Sequence, residues 1–203
     1  MSNGDKIILH LCANEGSDSK PYRDAGYDVR IVGEDIGVEN FMPPPNVYGI
    51  IANPPCTHFS IARTTPKYPR DLREGMRLVN ECLRIIWECQ YRTLSQHQKA
   101  SPLKFWALEN PGSGFLKWFL GRPAFAYNQI EYGAPLSKRT AIWGMFNLPH
   151  RPLLCNSVPA GYSMGGDWKV NGKIIEPGDR NDSDGHRSHC PIDFAKAFFV
   201  ANP

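Results

Sequence analysis

The sequence predicts a single α/β domain with a doubly wound, mainly parallel sheet. Three short apolar runs, 6–11, 28–32 and 47–52, each stop at a turn or at prolines, which is typical of buried strands. Between the first two runs, residues 19–25 offer a serine, an early proline and a following glycine, the signals of a short helix. Strand, turn, helix, strand and acidic turn in this order indicate the nucleotide-binding half of such a sheet.

The turn after the first predicted strand and the end of the second carry the residues suited to a nucleotide. Gly16 lies in that first turn, and Asn14 is the non-glycine residue type that best tolerates a left-handed backbone. Glu34 and Asp35 follow the second strand, where a carboxylate can hold ribose hydroxyls. Taken alone, so short a glycine motif is equally consistent with an ordinary turn.

A cysteine follows the third predicted strand. Prolines at 43–45 and 54–55 bound the run 47–52, which favours a buried strand over a helix. Cys56 then lies on a proline-stiffened loop at the carboxyl end of the strand, the edge where open α/β sheets bind ligands. The alternative for an isolated Pro-Cys pair is a buried structural cysteine.

Three segments resemble motifs of the DNA cytosine-5 methyltransferases, in the order of that family. Residues 54–60 (PPCTHFS) are similar to its nucleophile loop, and residues 107–111 (ALENP) to its Glu-Asn loop. Residues 132–140 (YGAPLSKRT), followed by Ile-Trp-Gly, are similar to its Tyr-Gly-x-Pro-Gln-Ser-Arg-x-Arg segment. The resemblance covers roughly residues 6–145, resumes near the C-terminus, and is greatest to the compact, phage-type members.

The resemblance implies a Rossmann-like, S-adenosylmethionine-dependent methyltransferase fold and a set of catalytic roles. Cys56 would add as a thiolate to C6 of cytosine, because the C5 carbon cannot take a methyl group unaided. Glu109 would hold N3 and the exocyclic amine and supply a proton. We predict Arg139 as the base-contacting cation, because a guanidinium makes paired hydrogen bonds that a lysine does not. Without the other motifs, Glu109 also fits a carboxylate that caps a turn.

The remaining site residues follow from the same resemblance. Many relatives have an acidic residue where His10 stands and a glycine where Asn14 stands, so the donor site departs from the family pattern. The predicted cofactor-binding residues are Leu11, Cys12, Asn14, Gly16, Glu34, Asp35, Asn53 and Pro54. The predicted substrate-binding residues are Pro55, Ser60, Asn110 and Lys138.

The chain divides into a catalytic core at 1–146, a loop-rich insertion at 147–187, and a C-terminal helix at 188–203 that packs back on the core. The insertion stands where duplex-reading relatives carry a large target-recognition domain. Its brevity predicts weak sequence selectivity, a preference for single strands, action on a nucleotide, or a partner that supplies specificity. The aromatic segment 112–120 is predicted to pack in the core.

Composition limits the setting and the partners. A net charge of +3 permits a polyanionic partner without requiring one. Six cysteines without disulfide-like spacing, and an N-terminus typical of neither a signal peptide nor a membrane span, predict a cytoplasmic protein, of a bacterial host if phage-encoded. We predict no metal site, because the spacing within His186-x-x-His189-Cys190 fits no standard zinc motif.

The leading prediction is methyl transfer from S-adenosylmethionine to C5 of cytosine in DNA, duplex or single-stranded. A second hypothesis is C5 modification of cytosine in single-stranded nucleic acid, RNA or a free nucleotide, with either the ordinary or a modified methyl donor. A third is a non-catalytic nucleic-acid-binding relative that has lost the cofactor. Retained Cys56 and Glu109 argue against the third hypothesis, whereas His10 and Asn14 favour it.

Overall fold

The structure is a computed structural model that describes residues 2–13, 15–61, 69–91, 103–134, 137–151, 168–170, 173–175 and 190–203. These residues form a mixed α/β architecture with a six-stranded mixed sheet and four α-helices. In chain order the elements are β1 (Ile7–Leu11), α1 (Lys20–Asp24), β2 (Asp28–Val32), β3 (Val47–Ala52), α2 (Leu72–Tyr91), β4 (Phe105–Pro111), α3 (Lys117–Leu120), β5 (Phe125–Asn128), β6 (Arg139–Met145), β7 (Trp168–Val170), β8 (Lys173–Ile175) and α4 (Ile192–Ala201).

The six strands lie in the order β2-β1-β3-β4-β6-β5. The first four are parallel, whereas β6 runs antiparallel to both β4 and β5. The chain leaves β1 on one side to form β2 and then crosses to the other side to form β3. The order therefore reverses between β1 and β3, and a crevice opens at the carboxyl ends of such strands. Leu11 pairs with Ala52, so both strands end at the same level.

Two apolar layers cover the two faces of the sheet. One layer packs against α2, whose buried residues Val79, Cys82 and Ile86 recur at helical spacing. The other packs against α1 and α4 and is rich in aromatic rings. Because successive strand residues point to opposite faces, Leu108 joins the first layer and Ala107 the second.

Strand β4 extends beyond the apolar run of residues 105–108. The apolar run ends at Leu108, but β6 pairs with β4 from Trp106 as far as Pro111. Glu109 and Asn110 consequently lie inside a hydrogen-bonded strand, which fixes their side chains on opposite faces of the sheet.

The C-terminal helix begins at Ile192 and packs against the aromatic layer of the core. Phe194 is buried there, whereas Ile192 is 46% exposed. The hydroxyl of Tyr22 in α1 donates to the carbonyl of Asn202 at 2.8 Å, and this bond attaches the end of α4 to α1.

The predicted insertion, 147–187, lies largely outside the described residues. Where it is described, β7 and β8 pair as an antiparallel hairpin in a stretch that the composition predicts as loop. Among the described residues, no helix has both the length and the apolar character needed to cross a membrane.

Candidate active site

The cysteine loop, residues 53–60, begins where β3 ends. The backbone N–H of Asn53 donates to the carbonyl of Leu11 at 3.0 Å, which joins the loop to the end of β1. Two further amides, those of Phe59 and Ser60, donate to the carbonyl of Cys56 at 2.9 and 2.8 Å. The chain therefore turns tightly just after the cysteine. The Phe59 side chain is fully buried beneath this turn.

Side chains from other elements fasten the cysteine loop in place. Asn110 in β4 is fully buried, and its side-chain amide donates to the carbonyl of Pro54 at 2.9 Å. Arg70, just before α2, donates to the carbonyls of His58 and Ser60 at 2.8 and 2.9 Å. The loop is thus held at its start by Asn110 and at its end by Arg70. The sequence analysis assigns no role to Arg70.

A glycine allows the segment after β4 to approach the loop closely. The amide of Phe115 donates to the carbonyl of Phe59 at 3.0 Å. A Cβ on Gly114 would lie 2.9 Å from that same carbonyl oxygen and 3.0 Å from the carbonyl oxygen of Pro111. Because both obstacles are backbone atoms, only glycine fits at this position without moving the loop.

Glu109 and Lys138 form an ion pair beside the cysteine loop. Lys138 Nζ lies 3.6 Å from Glu109 Oε1, with side-chain exposures of 23% and 26% respectively. Arg139 is exposed and lies two residues before Ala141 in β6. Its side chain therefore points to the same face of the sheet as Ala141, which packs on the α2 side. The structure therefore brings Lys138, rather than Arg139, to Glu109. A catalytic role for Arg139 stays a prediction.

The three groups influence one another's protonation. Burial raises the pKa of Cys56; the Lys138 cation opposes that shift, and the Glu109 charge adds to it. Burial also raises the pKa of Glu109, against the pull of Lys138 and with a contribution from Asp18. Burial alone would lower the pKa of Lys138. The negative charges of Glu109, Cys56 and Asp18 outweigh this effect and raise the pKa of Lys138. Lys138 is accordingly a cation that favours the thiolate, and the Glu109 pKa moves toward the range of a proton donor.

The turn after β1 contains two residues with positive φ. Cys12 adopts a φ of 55° and Gly16 a φ of 73°. A Cβ on Gly16 would lie 2.8 Å from Ile31 Cδ1 and 3.1 Å from Ser19 Oγ, so the turn excludes a side chain there. Asn14, the other predicted turn residue, lies outside the described residues.

A buried polar cluster, which we call the Asp18 cluster, lines the crevice between β1 and β3. It consists of His10, Asp18, Ser19 and Asn53. His10 Nδ1 lies 2.9 Å from Ser19 Oγ, and its Nε2 lies 3.5 Å from the Asp18 carboxylate. The side-chain amide of Asn53 donates to the same carboxylate. Burial would raise the pKa of Asp18, but its bonds to His10 and its other partners hold that pKa below its usual value.

The Asp18 cluster and the Glu109–Lys138 pair face one small cavity of about 30 Å³. Its polar wall includes Asp18, Asn53, Glu109 and Lys138, and α4 supplies an apolar wall. Asp18 was missed by sequence reasoning, since a carboxylate in a Ser-Asp-Ser turn gives no sign of burial. Also missed were three further lining residues: Tyr127, Gln129 and Cys190.

Of the predicted cofactor residues, Leu11, Gly16, Asn53 and Pro54 lie at or near the β1–β3 crevice. The Cys12 thiol instead faces Cys82 on α2, with 3.6 Å between the sulfur atoms. The Glu34 and Asp35 carboxylates are exposed at the end of β2, and Pro55 is exposed on the cysteine loop.

The geometry joins most of the predicted residues at one edge of the sheet. Comparison of the chain with protein-family models and with curated proteins finds no match. This edge brings together a cysteine on the clamped loop after β3, a half-buried carboxyl group of β4 and a lysine directly before β6. The five cysteines that the structure describes are free thiols, so Cys56 is available for chemistry.

Proposed function

We propose that the protein is an S-adenosylmethionine-dependent methyltransferase that modifies C5 of cytosine in DNA through a covalent adduct with Cys56. The observation that carries the proposal is the convergence of Cys56, Glu109 and Lys138. Cys56 lies on the loop after β3, Glu109 lies in β4 and Lys138 directly precedes β6, and their charges act on one another. A nucleophile, a proton donor and a cation are the set that addition to a pyrimidine ring requires.

Each of the three side chains has a definite task. The Cys56 thiolate forms a bond to C6, and the electron pair of the C5–C6 double bond becomes available at C5. Glu109 donates a proton to N3 as the ring gains charge, for which a raised pKa is the suitable direction. Lys138 stabilises the thiolate before it adds. After C5 gains its new substituent, loss of the C5 proton and expulsion of the Cys56 sulfur restore the aromatic ring.

The crevice between β1 and β3 suits the proposed donor. S-adenosylmethionine supplies an electrophilic methyl group on a positively charged sulfur. The Asp18 carboxylate offers a negative charge in that crevice, and Asn53 Oδ1 is buried there without a hydrogen-bond partner among the described residues. Gly16 keeps the adjoining turn free of a side chain. These features support a Rossmann-like methyltransferase fold in which the residues of the crevice bind the nucleoside.

The proposal is tested with an oligonucleotide that contains 5-fluorocytosine. Fluorine at C5 cannot leave as a proton, so the enzyme should stall as a protein–DNA adduct that survives denaturation. Cys56→Ser should abolish the adduct, because a serine hydroxyl lacks an anionic fraction at neutral pH. Glu109→Gln should slow adduct formation by about 10²- to 10⁴-fold. Cys89→Ser, on α2, is the matched cysteine control and should form the adduct at the wild-type rate.

Normal turnover by the Cys56→Ser variant would refute the mechanism. Calorimetric titration with S-adenosylmethionine separates the remaining hypotheses. Binding of S-adenosylmethionine without adduct formation would point to another substrate. Adduct formation without binding of S-adenosylmethionine would point to a modified methyl donor. Absence of both, in folded protein, would favour the non-catalytic nucleic-acid-binding relative.

A further inference from the structure

Two aromatic rings are exposed next to the cysteine loop. On α3, Trp118 is 67% exposed and Phe119 is 49% exposed. The sequence predicts that this segment packs in the core, and for these two side chains the prediction is wrong. The two adjacent exposed rings form a contiguous apolar surface of the kind that a ligand can cover.

The exposed rings adjoin the candidate active site directly. The Phe119 ring lies 6.4 Å from the ring of Phe59, which is three residues beyond Cys56. The hydrogen bond from the Phe115 amide to the Phe59 carbonyl, at 3.0 Å, holds the same segment against the loop. A strand of nucleic acid whose base enters at Cys56 would therefore pass over these rings.

The rings are held in a fixed arrangement. Trp118 stacks on Phe115 with 4.5 Å between ring centroids and 30° between ring planes. The guanidinium of Arg70 lies 4.6 Å from the centroid of the same Phe115 ring. Stacking on one face leaves the other face of Trp118 open, so a planar group can lie on it with little loss of side-chain freedom. We call Phe115, Trp118 and Phe119 the aromatic platform.

The charge around the platform suits a phosphate backbone. Residues 111–124 contain two cations, Lys117 and Arg122, and no acidic residue. Both cations are exposed, as is Arg139. The Cγ of Arg139 lies 3.1 Å from where a Cβ on Gly112 would be, so its side chain runs beside this segment. Aromatic rings interleaved with basic side chains are the pattern of single-stranded nucleic-acid grooves.

We propose that the aromatic platform stacks the bases of single-stranded DNA next to the target cytosine, which makes single-stranded DNA the preferred substrate. The choice of DNA rests on the proposed function, whereas the stacking itself does not. In a duplex the faces of the bases are covered by their neighbours, so an exposed ring gains a stacking partner only from an unpaired strand. Stacking of this kind tolerates any sequence, because every base has a π-face.

The test is the affinity of the full-length protein for a short fluorescein-labelled DNA strand, measured by fluorescence anisotropy without cofactor. Trp118→Ala should weaken binding by roughly 5- to 100-fold, the range for loss of one stacked base. Trp118→Phe keeps a ring and should retain most of the affinity. Trp87→Ala is the matched control, because Trp87 is a tryptophan on α2 that is 54% exposed. This substitution should leave the affinity for the DNA strand unchanged.

Three results would overturn the proposal: equal affinities of wild type and Trp118→Ala, tighter binding of the matching duplex than of the single strand, or tighter binding of an RNA strand of the same sequence. Unchanged thermal unfolding midpoints check that the variants fold. The outcome is separable from the proposed function. Weakened binding by Trp118→Ala with no 5-fluorocytosine adduct would refute the chemistry alone. Normal adduct formation with no effect of Trp118→Ala would refute the platform alone.

Discussion

Replacing Asn110 by alanine should separate the positioning of the cysteine loop from the chemistry of the cysteine. The Asn110 side chain is fully buried and donates to the carbonyl of Pro54 at 2.9 Å, two residues before Cys56. Pro54 is itself buried, so its carbonyl would lose this partner away from bulk water. That loss should lower the free energy of unfolding by about 1–3 kcal/mol. This is a measurable fraction of the ~5–15 kcal/mol that is typical of a domain.

The larger effect of Asn110→Ala should be on the rate of adduct formation. A displacement of about 1 Å at a reacting group can cost on the order of 10²-fold, so we expect adduct formation to slow by about 10- to 100-fold. Urea denaturation gives the stability, and the rate of 5-fluorocytosine adduct formation, well below the unfolding midpoint, gives the positioning effect.

Asn202→Ala is the matched control for Asn110→Ala. Asn202 is also buried, and its side-chain amide donates to the carbonyls of Asn147 and Phe198, both at 3.0 Å, at the end of α4. The free energy of unfolding of Asn202→Ala should fall by an amount comparable to that of Asn110→Ala, but the variant should retain the wild-type rate of adduct formation. If Asn110→Ala were destabilised and yet reacted at the wild-type rate, the idea that β4 positions the cysteine loop would be refuted.

Three further predictions concern charge and backbone. Burial raises the pKa of Cys56 and Lys138 opposes that shift, so Lys138→Met should move the pH profile of adduct formation to higher pH, whereas Lys138→Arg should preserve it. Gly16→Ala should lower the urea midpoint more than Gly26→Ala, because both glycines have positive φ but only at Gly16 would a Cβ meet other atoms. The Asp18 pKa is depressed in the folded protein, so Asp18 contributes stability above its unfolded pKa that is lost on acidification. In Asp18→Asn, the fall in unfolding free energy below about pH 4 should be shallower.

Each of these three predictions has a result that would contradict it. A pH profile of Lys138→Met that coincided with wild type would show that the lysine does not act on the thiol. Equal urea midpoints for the two glycine variants would mean that the turn after β1 has room for a side chain. An unchanged acid limb in Asp18→Asn would show that this carboxylate is not held in its ionised form by folding.

Local pattern in the sequence was enough to predict β1, β2 and β3 and the loop that carries Cys56. The run from Val47 to Ala52 is bounded by prolines, so both ends of β3 follow from residues that cannot continue a ladder. The positive φ of Gly16 also follows from residue type, because glycine alone adopts that conformation at little cost. Such features depend on neighbours along the chain, which is why a single sequence reveals them.

Which side chains meet was decided only by the tertiary structure. Pairing with β6 extends β4 past Leu108, and the alternation of a strand then sends Glu109 and Asn110 to opposite faces. The same alternation gives Lys138, rather than Arg139, to Glu109, although the two cations are adjacent in sequence.

The sequence also does not show which residues of the candidate site are buried and which are exposed. Along the sequence Asp18 is an ordinary polar turn residue, but in the structure His10 of β1 and Asn53 of the cysteine loop both contact its carboxylate. Conversely, the sequence predicts that Trp118 packs in the core, but Trp118 is exposed, because Leu116, directly before α3, fills the interior instead. Residue type predicts the preference for water or core, but the packing of distant segments determines which preference is satisfied.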